Sequence, residues 1–259
     1  MIKQGNEAYV NTEVHKGIAF IEFFHPQSNS LPGVILKELA NAIMHAATDP
    51  NVLVVIIRSG GEKAFCAGAS FDELVTIKNE KEGQAFFSGF ANVINAMRKC
   101  PKFIIVRVHG KCVGGGVGIA AAADYAIAVE GADIKLSELA IGIGPFVIGP
   151  AVERKMGVSS YSQLSIDAGS WRNADWARRK GLFAELHQTV AAMDESIEKL
   201  ANTLSHSYPE AMSEMKKVFW KGTEHWDELL IERAKISGRL VLSEFTKQAI
   251  ERTKTKSAN

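Results

Sequence analysis

The segment from Phe103 to Glu138 limits the folds open to this chain more than any other stretch. FIIVRV (103–108) is apolar and β-branched, which suits a strand buried on both faces. It runs into HGKCVGGG, where Gly114, Gly115 and Gly116 remove side chains and leave backbone N–H groups open to a ligand. VGIAAAA (117–123) predicts a short helix, whose N-terminus places partial positive charge beside those amides. YAIAV (125–129) predicts the next strand, and Glu138 follows inside DIKLSEL, among apolar neighbours that would desolvate it and raise its pKa. Exposed amides and an apolar-set carboxylate are the parts of an oxyanion site with an acid/base beside it.

The rest of the chain fits around this unit as an α/β fold. VNTEV and GIAFIEFF, separated by His15, Lys16 and Gly17, predict a β-hairpin. Ser30 is the expected N-cap of a helix that presents Leu36, Leu39, Ala40, Ile43 and Ala47 on one face and ends near Asp49-Pro50. VLVVIIR (52–58) predicts a second buried strand, followed by the small-residue loop SGGEKAFCAGAS and a helix from about Ser70. A further helix is predicted over 80–99, although Gly83 and Gly89 weaken its propensity. IGIGPFVIGP reads as a loop. Beyond it the pattern turns helical, with helices expected over 150–157, 159–168, 174–180, 193–207, 209–220 and 224–254, the last broken near Gly238, and a fraying tail TKTKSAN.

Composition excludes several function classes. The 259 residues carry 30 basic and 29 acidic groups, a net charge of +1, so no global field favours nucleic acid. MIKQGNEAYV lacks a secretory pattern and no apolar run is long enough for a membrane span, which predicts a cytoplasmic protein without membrane partners. Cys66, Cys100 and Cys112 form no CxxC pair, as expected of reduced thiols. The histidines form no metal-ligand spacing, and no G-x-S-x-G elbow is present. Gly116-Val117-Gly118-Ile119-Ala120-Ala121 fits a dinucleotide fingerprint, but its helix is too short for the usual crossover and Glu130 comes too early to meet a ribose. Arg178-Arg179-Lys180 and Lys216-Lys217 read as solvated helix faces, and the four tryptophans as packing or interface residues.

AFCAGASFDEL (64–74), HGKCVGGGVGIAAAADYAIA (109–128) and LSELAIGIGP (136–145) resemble, in order and spacing, the three signature segments of the crotonase superfamily, the enoyl-CoA hydratase/isomerase proteins. NSLP (29–32) and SIDAGSWRNADWARRKGLFAEL (165–186) are similar to it too, so the resemblance spans nearly the whole chain. It implies a spiral of strand-strand-helix turns over 1–190 and a helical region over 191–259 that builds trimers, often paired into hexamers. It implies a coenzyme A thioester as substrate, with no separate cofactor. On this resemblance the oxyanion amides fall on Ala69 and Gly115 and the acid/base on Glu138. Ser28, Ser30, Lys63, Phe65, Ala67, Gly68, Gly114 and Gly118 fall on substrate-facing positions, with Ile143, Phe146 and the 75–95 region as acyl-pocket walls.

Hydratases of this family carry two glutamates, at the positions held here by Gly118 and Glu138. With one carboxylate the sequence is closer to the enoyl-CoA isomerases, in which a single group moves a proton between two carbons. Phe146 stands where the dienoyl-type isomerases use an aspartate, Ser70 where many members have aspartate, and Asp72 where a phosphate-facing lysine is common. The alternatives are a hydratase for a simple or branched substrate, such as the methylglutaconyl type, and a scaffold that binds acyl-CoA without turnover. Cys66 and Cys112 are read as packing residues rather than nucleophiles, and His109 as a strand-end histidine rather than a second proton carrier.

Overall fold

A computed structural model describes residues 7–258, with side chains through Thr253; MIKQGN and Asn259 lie outside the described residues, as do the side chains of most of the tail expected to fray. In chain order the first elements are β1 (Tyr9–His15), β2 (Ile18–Phe24), α1 (Gly33–Thr48), β3 (Val54–Ser59), β4 (Ala64–Cys66), α2 (Phe71–Leu74) and α3 (Glu80–Lys99). They are followed by β5 (Phe103–Val108), β6 (Lys111–Val113), α4 (Gly115–Ala122), β7 (Tyr125–Val129) and β8 (Ile134–Lys135). After a 3-10 turn at Leu139–Ile141 come α5 (Gly149–Ile166), α6 (Ala174–Arg179), β9 (Glu185–His187), α7 (Val190–Ser205), α8 (Pro209–Phe219), α9 (Trp226–Leu240) and α10 (Glu244–Ala258).

The strands sort into a large sheet, β1-β2-β3-β5-β7-β9, and a small one, β4-β6-β8. The β1–β2 hairpin is antiparallel; the pairs that follow it are parallel. Each long apolar strand ends in a small-residue bend, and the few residues after the bend add to the second sheet. The pairs β3/β4, β5/β6 and β7/β8 are therefore successive turns of one spiral, the α/β architecture that the sequence predicts. Strands β3 and β5 are buried almost throughout, as parallel strands covered on both faces must be. The short strands β4, β6, β8 and β9 were not expected from the sequence; at two or three residues each they have no periodicity to read.

Several expectations need correction. Ser30 does not cap α1: its hydroxyl lies 3.1 Å from His25 Nδ1, and Pro32 holds the cap position. The N–H of Gly33 instead donates to Glu73 Oε2 at 2.6 Å, so a side chain on α2 serves the start of α1. The expected break at 157–159 is a kink at Gly157 inside α5, with φ +79°. The break expected near Gly238 falls at 241–243, between α9 and α10, and Gly238 itself sits inside α9, against α3: a Cβ on Gly83 would lie 2.6 Å from the Gly238 carbonyl oxygen. Lys216 is not on a solvated face. It is buried, forms an ion pair of 2.7 Å with Asp124 and donates to the Lys102 carbonyl. Asp124 also accepts from the Ile104 N–H and the Trp220 indole, which ties α8 to the sheet. Residue 190 opens α7, which lies on one face of the large sheet.

Candidate functional site

Two small-residue turns meet at the ends of the spiral. In the first, Leu31 pairs with Ala69 as an isolated parallel bridge: the Leu31 N–H donates to the Gly68 carbonyl at 2.8 Å and the Ser70 N–H to the Leu31 carbonyl at 3.3 Å. In a parallel bridge the residue between those two groups turns its own N–H away from the partner, so the Ala69 amide faces the opposite side. Gly68 makes the turn with φ +91°, and its N–H donates to Cys66 Sγ at 3.3 Å. In the second turn Gly114 has φ +51° and its N–H is bound to the Lys135 carbonyl. Gly115 then opens α4, where a helix leaves its first amides unbonded. The turns touch, since a Cβ on Gly68 would lie 3.3 Å from the Val113 carbonyl oxygen.

Glu138 reaches over the second turn, with Oε1 lying 2.8 Å from where a Cβ on Gly114 would be. The residue is partly exposed, yet Oε2 is shut off from solvent and has no hydrogen-bond partner. Enclosure pushes its carboxyl up from the usual range to about 7, opposed by a hydrogen bond from its own N–H. The 3-10 turn that starts here is backed by α10: a Cβ on Gly142 would lie 2.5 Å from the Phe245 ring and 2.7 Å from Thr246 Oγ1, and Thr246 is fully buried.

The amide-bearing turns and Glu138 line one cavity of about 50 Å³. Of the residues anticipated, Ala67, Gly68, Ala69, Gly114, Gly115, Glu138 and Phe146 line it. Ser28, Ser30, Lys63, Phe65, Gly118 and Ile143 do not, for separate reasons. Ser28 offers its carbonyl to the Ala67 N–H, Ser30 is turned to His25, and Lys63 is exposed. Phe65 is fully buried against Phe23, ring centroids 5.6 Å apart, and Ile143 is packed into the core. Gly118 is covered by Ile148, whose Cγ2 lies 2.5 Å from where a Cβ on Gly118 would be. Phe87, Phe90 and Ser237 also line the cavity. Phe87 and Phe90 belong to the 75–95 region named from sequence; Ser237 comes from a distant helix with no local signal.

The sequence pattern of the family described as Enoyl-CoA hydratase/isomerase matches residues 13–256. The chain belongs to the enoyl-CoA hydratase/isomerase family. It is 26% identical over 244 residues to a probable enoyl-CoA hydratase of Bacillus subtilis (strain 168), covering 93% of this chain and 94% of that protein. It is 30% identical over 209 residues to a short-chain-enoyl-CoA hydratase of Clostridium acetobutylicum, covering 80% of this chain and 79% of the relative. In fold it is similar to the crystal structure of an enoyl-CoA hydratase from Bacillus halodurans, with a TM-score of 0.87 at 20% identity over 94% of this chain and 99% of that one.

Within this family member the other candidate groups lie off the cavity. Cys66 and Cys112 are fully buried, and burial pushes the Cys66 thiol up to about 12 and that of Cys112 well above its usual value, which leaves both unreactive. His109 is buried with neither ring nitrogen bonded, and desolvation lowers its pKa; it does not line the cavity. A larger groove of about 1730 Å³ runs between β1–β3 and α7, but its two arginines are paired, Arg58 with Glu22 and Arg107 with Asp194, and it holds neither free amide turn. Among the described residues no cluster of metal-binding side chains occurs, and no helix is long and apolar enough to cross a membrane.

Proposed function

We propose that the protein shifts the double bond of a 3-enoyl-CoA thioester to the 2-position. The observation that carries this is that, among the described residues, Glu138 is the only acidic or basic side chain lining the cavity that also holds the Ala69 and Gly115 amides. The thioester oxygen accepts from the two amides. The Glu138 carboxylate takes a proton from C2, and the C2–H electron pair moves into a dienolate spread over the thioester oxygen. The resulting carboxylic acid returns the proton to C4, leaving a C2–C3 double bond and the carboxylate as it began. Each amide that meets the developing oxyanion is worth roughly 3 kcal/mol of barrier. A carboxyl with pKa about 7 is matched to taking and giving a proton near neutral pH. Coenzyme A enters as part of the substrate, and no separate cofactor is required by these steps.

Water addition is the second reading, favoured by the names of the relatives, which are hydratases. It requires one carboxylate to activate water unaided, because Ile148 occupies the side of the site where Gly118 would carry the other. Incubation with 3-hexenoyl-CoA and 2-hexenoyl-CoA separates the two. The expected result is faster formation of 2-hexenoyl-CoA from the first than of a 3-hydroxy product from the second, and the reverse order rejects the isomerase. A trimer, which the resemblance implies, would cover the exposed Val158 and Ile166 of α5 and Met215, Val218 and Phe219 of α8.

A further inference from the structure

Resting on the assignment of this cavity to the acyl group, the next question is what the far end of that group looks like. Helices α3 and α9 cross with backbone contact: a Cβ on Gly238 would lie 2.5 Å from the Gln84 nitrogen. This close approach carries the neighbouring Ser237 to the cavity, beside Phe87, one turn along α3 from Gly83. Ser237 is only 1% exposed. Helical serines and threonines ordinarily return the hydroxyl to a carbonyl of the preceding turn. Ser165 does so with Tyr161, Thr203 with Lys199 and Thr253 with Ala249. The Ser237 hydroxyl makes no such bond, nor any other within the described residues. A hydroxyl that faces the cavity without a protein partner is open to a hydrogen bond from a ligand atom that reaches it.

We propose that Ser237 selects acyl-CoA substrates whose short acyl chain ends in an uncharged hydrogen-bonding oxygen, a hydroxyl or carbonyl. The cavity is small, about 50 Å³, which favours a short chain. Charge limits its tip. Among the described residues no Lys, Arg or His lines the cavity, and Glu138 stands in it, so a terminal carboxylate would be buried without a counter-ion beside a like charge. The other walls are largely apolar, including Phe71, Phe87, Phe90 and Phe146, and hold the intervening carbons.

The test is a matched pair of unreactive thioesters, 5-hydroxypentanoyl-CoA and hexanoyl-CoA, which differ only by a hydroxyl in place of a methyl. Calorimetric titration of the unmodified protein should give the hydroxylated ligand the lower Kd, by about tenfold for one net hydrogen bond. Ser237→Ala should erase or invert that difference. Glutaryl-CoA should bind more weakly than either ligand. Equal affinities, a preference for hexanoyl-CoA, a preference that survives in the alanine variant, or tighter glutaryl-CoA binding would each overturn the assignment. The titration does not depend on turnover: a hydroxyl preference without double-bond shift sustains the role of Ser237 and rejects the isomerase, whereas no binding of any thioester rejects both.

Discussion

Ile148 Cγ2 occupies the place next to Gly118, 2.5 Å from the point where any side chain there would begin. The position is therefore not an empty socket waiting for a carboxylate. Gly118→Glu alone is expected to lower stability by about 1–3 kcal/mol through overpacking, and to add no hydratase activity. Gly118→Glu with Ile148→Gly should recover part of that loss. Urea denaturation checks the first expectation, and water addition to 2-hexenoyl-CoA by the double variant shows whether the second carboxylate is what hydration lacks.

Glu138→Gln keeps the shape of the side chain and removes its proton transfer. Turnover of 3-hexenoyl-CoA should fall about 10²–10⁴-fold while acyl-CoA affinity changes little, because the Ala69 and Gly115 amides remain. Turnover within a few-fold of the unmodified protein would remove Glu138 from the mechanism.

The same residue makes stability depend on pH. Its carboxyl titrates near 4.5 when unfolded and at about 7 when folded, so the fold favours the neutral acid. The contribution is complete below about pH 4.5 and is lost as pH rises through about 7, up to about 3 kcal/mol for a shift of this size. Relative to the unmodified protein, Glu138→Gln should therefore gain stability from pH 4.5 to pH 8, which thermal unfolding at the two pH values reads directly. In the unmodified enzyme, kcat/KM for the double-bond shift should rise with pH through an apparent pKa of about 7, since the base must start ionised.

Lys216 and Asp124 are 3% and 8% exposed at their side chains and pair at 2.7 Å. Lys216→Ala strands a buried carboxylate that still holds the Ile104 N–H and the Trp220 indole, and is expected to cost about 3–5 kcal/mol. The double variant Lys216→Ala/Asp124→Ala should cost less than the sum of the single ones, as chemical denaturation of all three would show.

What the sequence revealed and what it hid follow from the range of the interactions. The buried strands, the two small-residue turns and Glu138 are written in contiguous residues, so their types and order were readable. Pairs distant in sequence were not. Glu73 displaces Ser30 as the group serving the start of α1, and Asp124 takes Lys216 out of solvent; neither partner lies near the other in the chain. Gly83 and Gly238 looked like helix weaknesses because propensity counts only local cost, whereas their value is the backbone contact between α3 and α9. Ser237 was silent for the same reason. Phe65 and Ile143 lie in the core rather than along the cavity, because position along a motif does not say which side of a strand or turn faces inward.

The contact of Phe245 and Thr246 with Gly142 links the last helix to the turn that carries Glu138. During synthesis the spiral can wind long before that helix emerges, but the acid's support is then missing. The geometry of the Glu138 turn is thus set in part by a helix about a hundred residues downstream, and loosening Phe245 or Thr246 would shift the carboxylate while leaving the spiral wound.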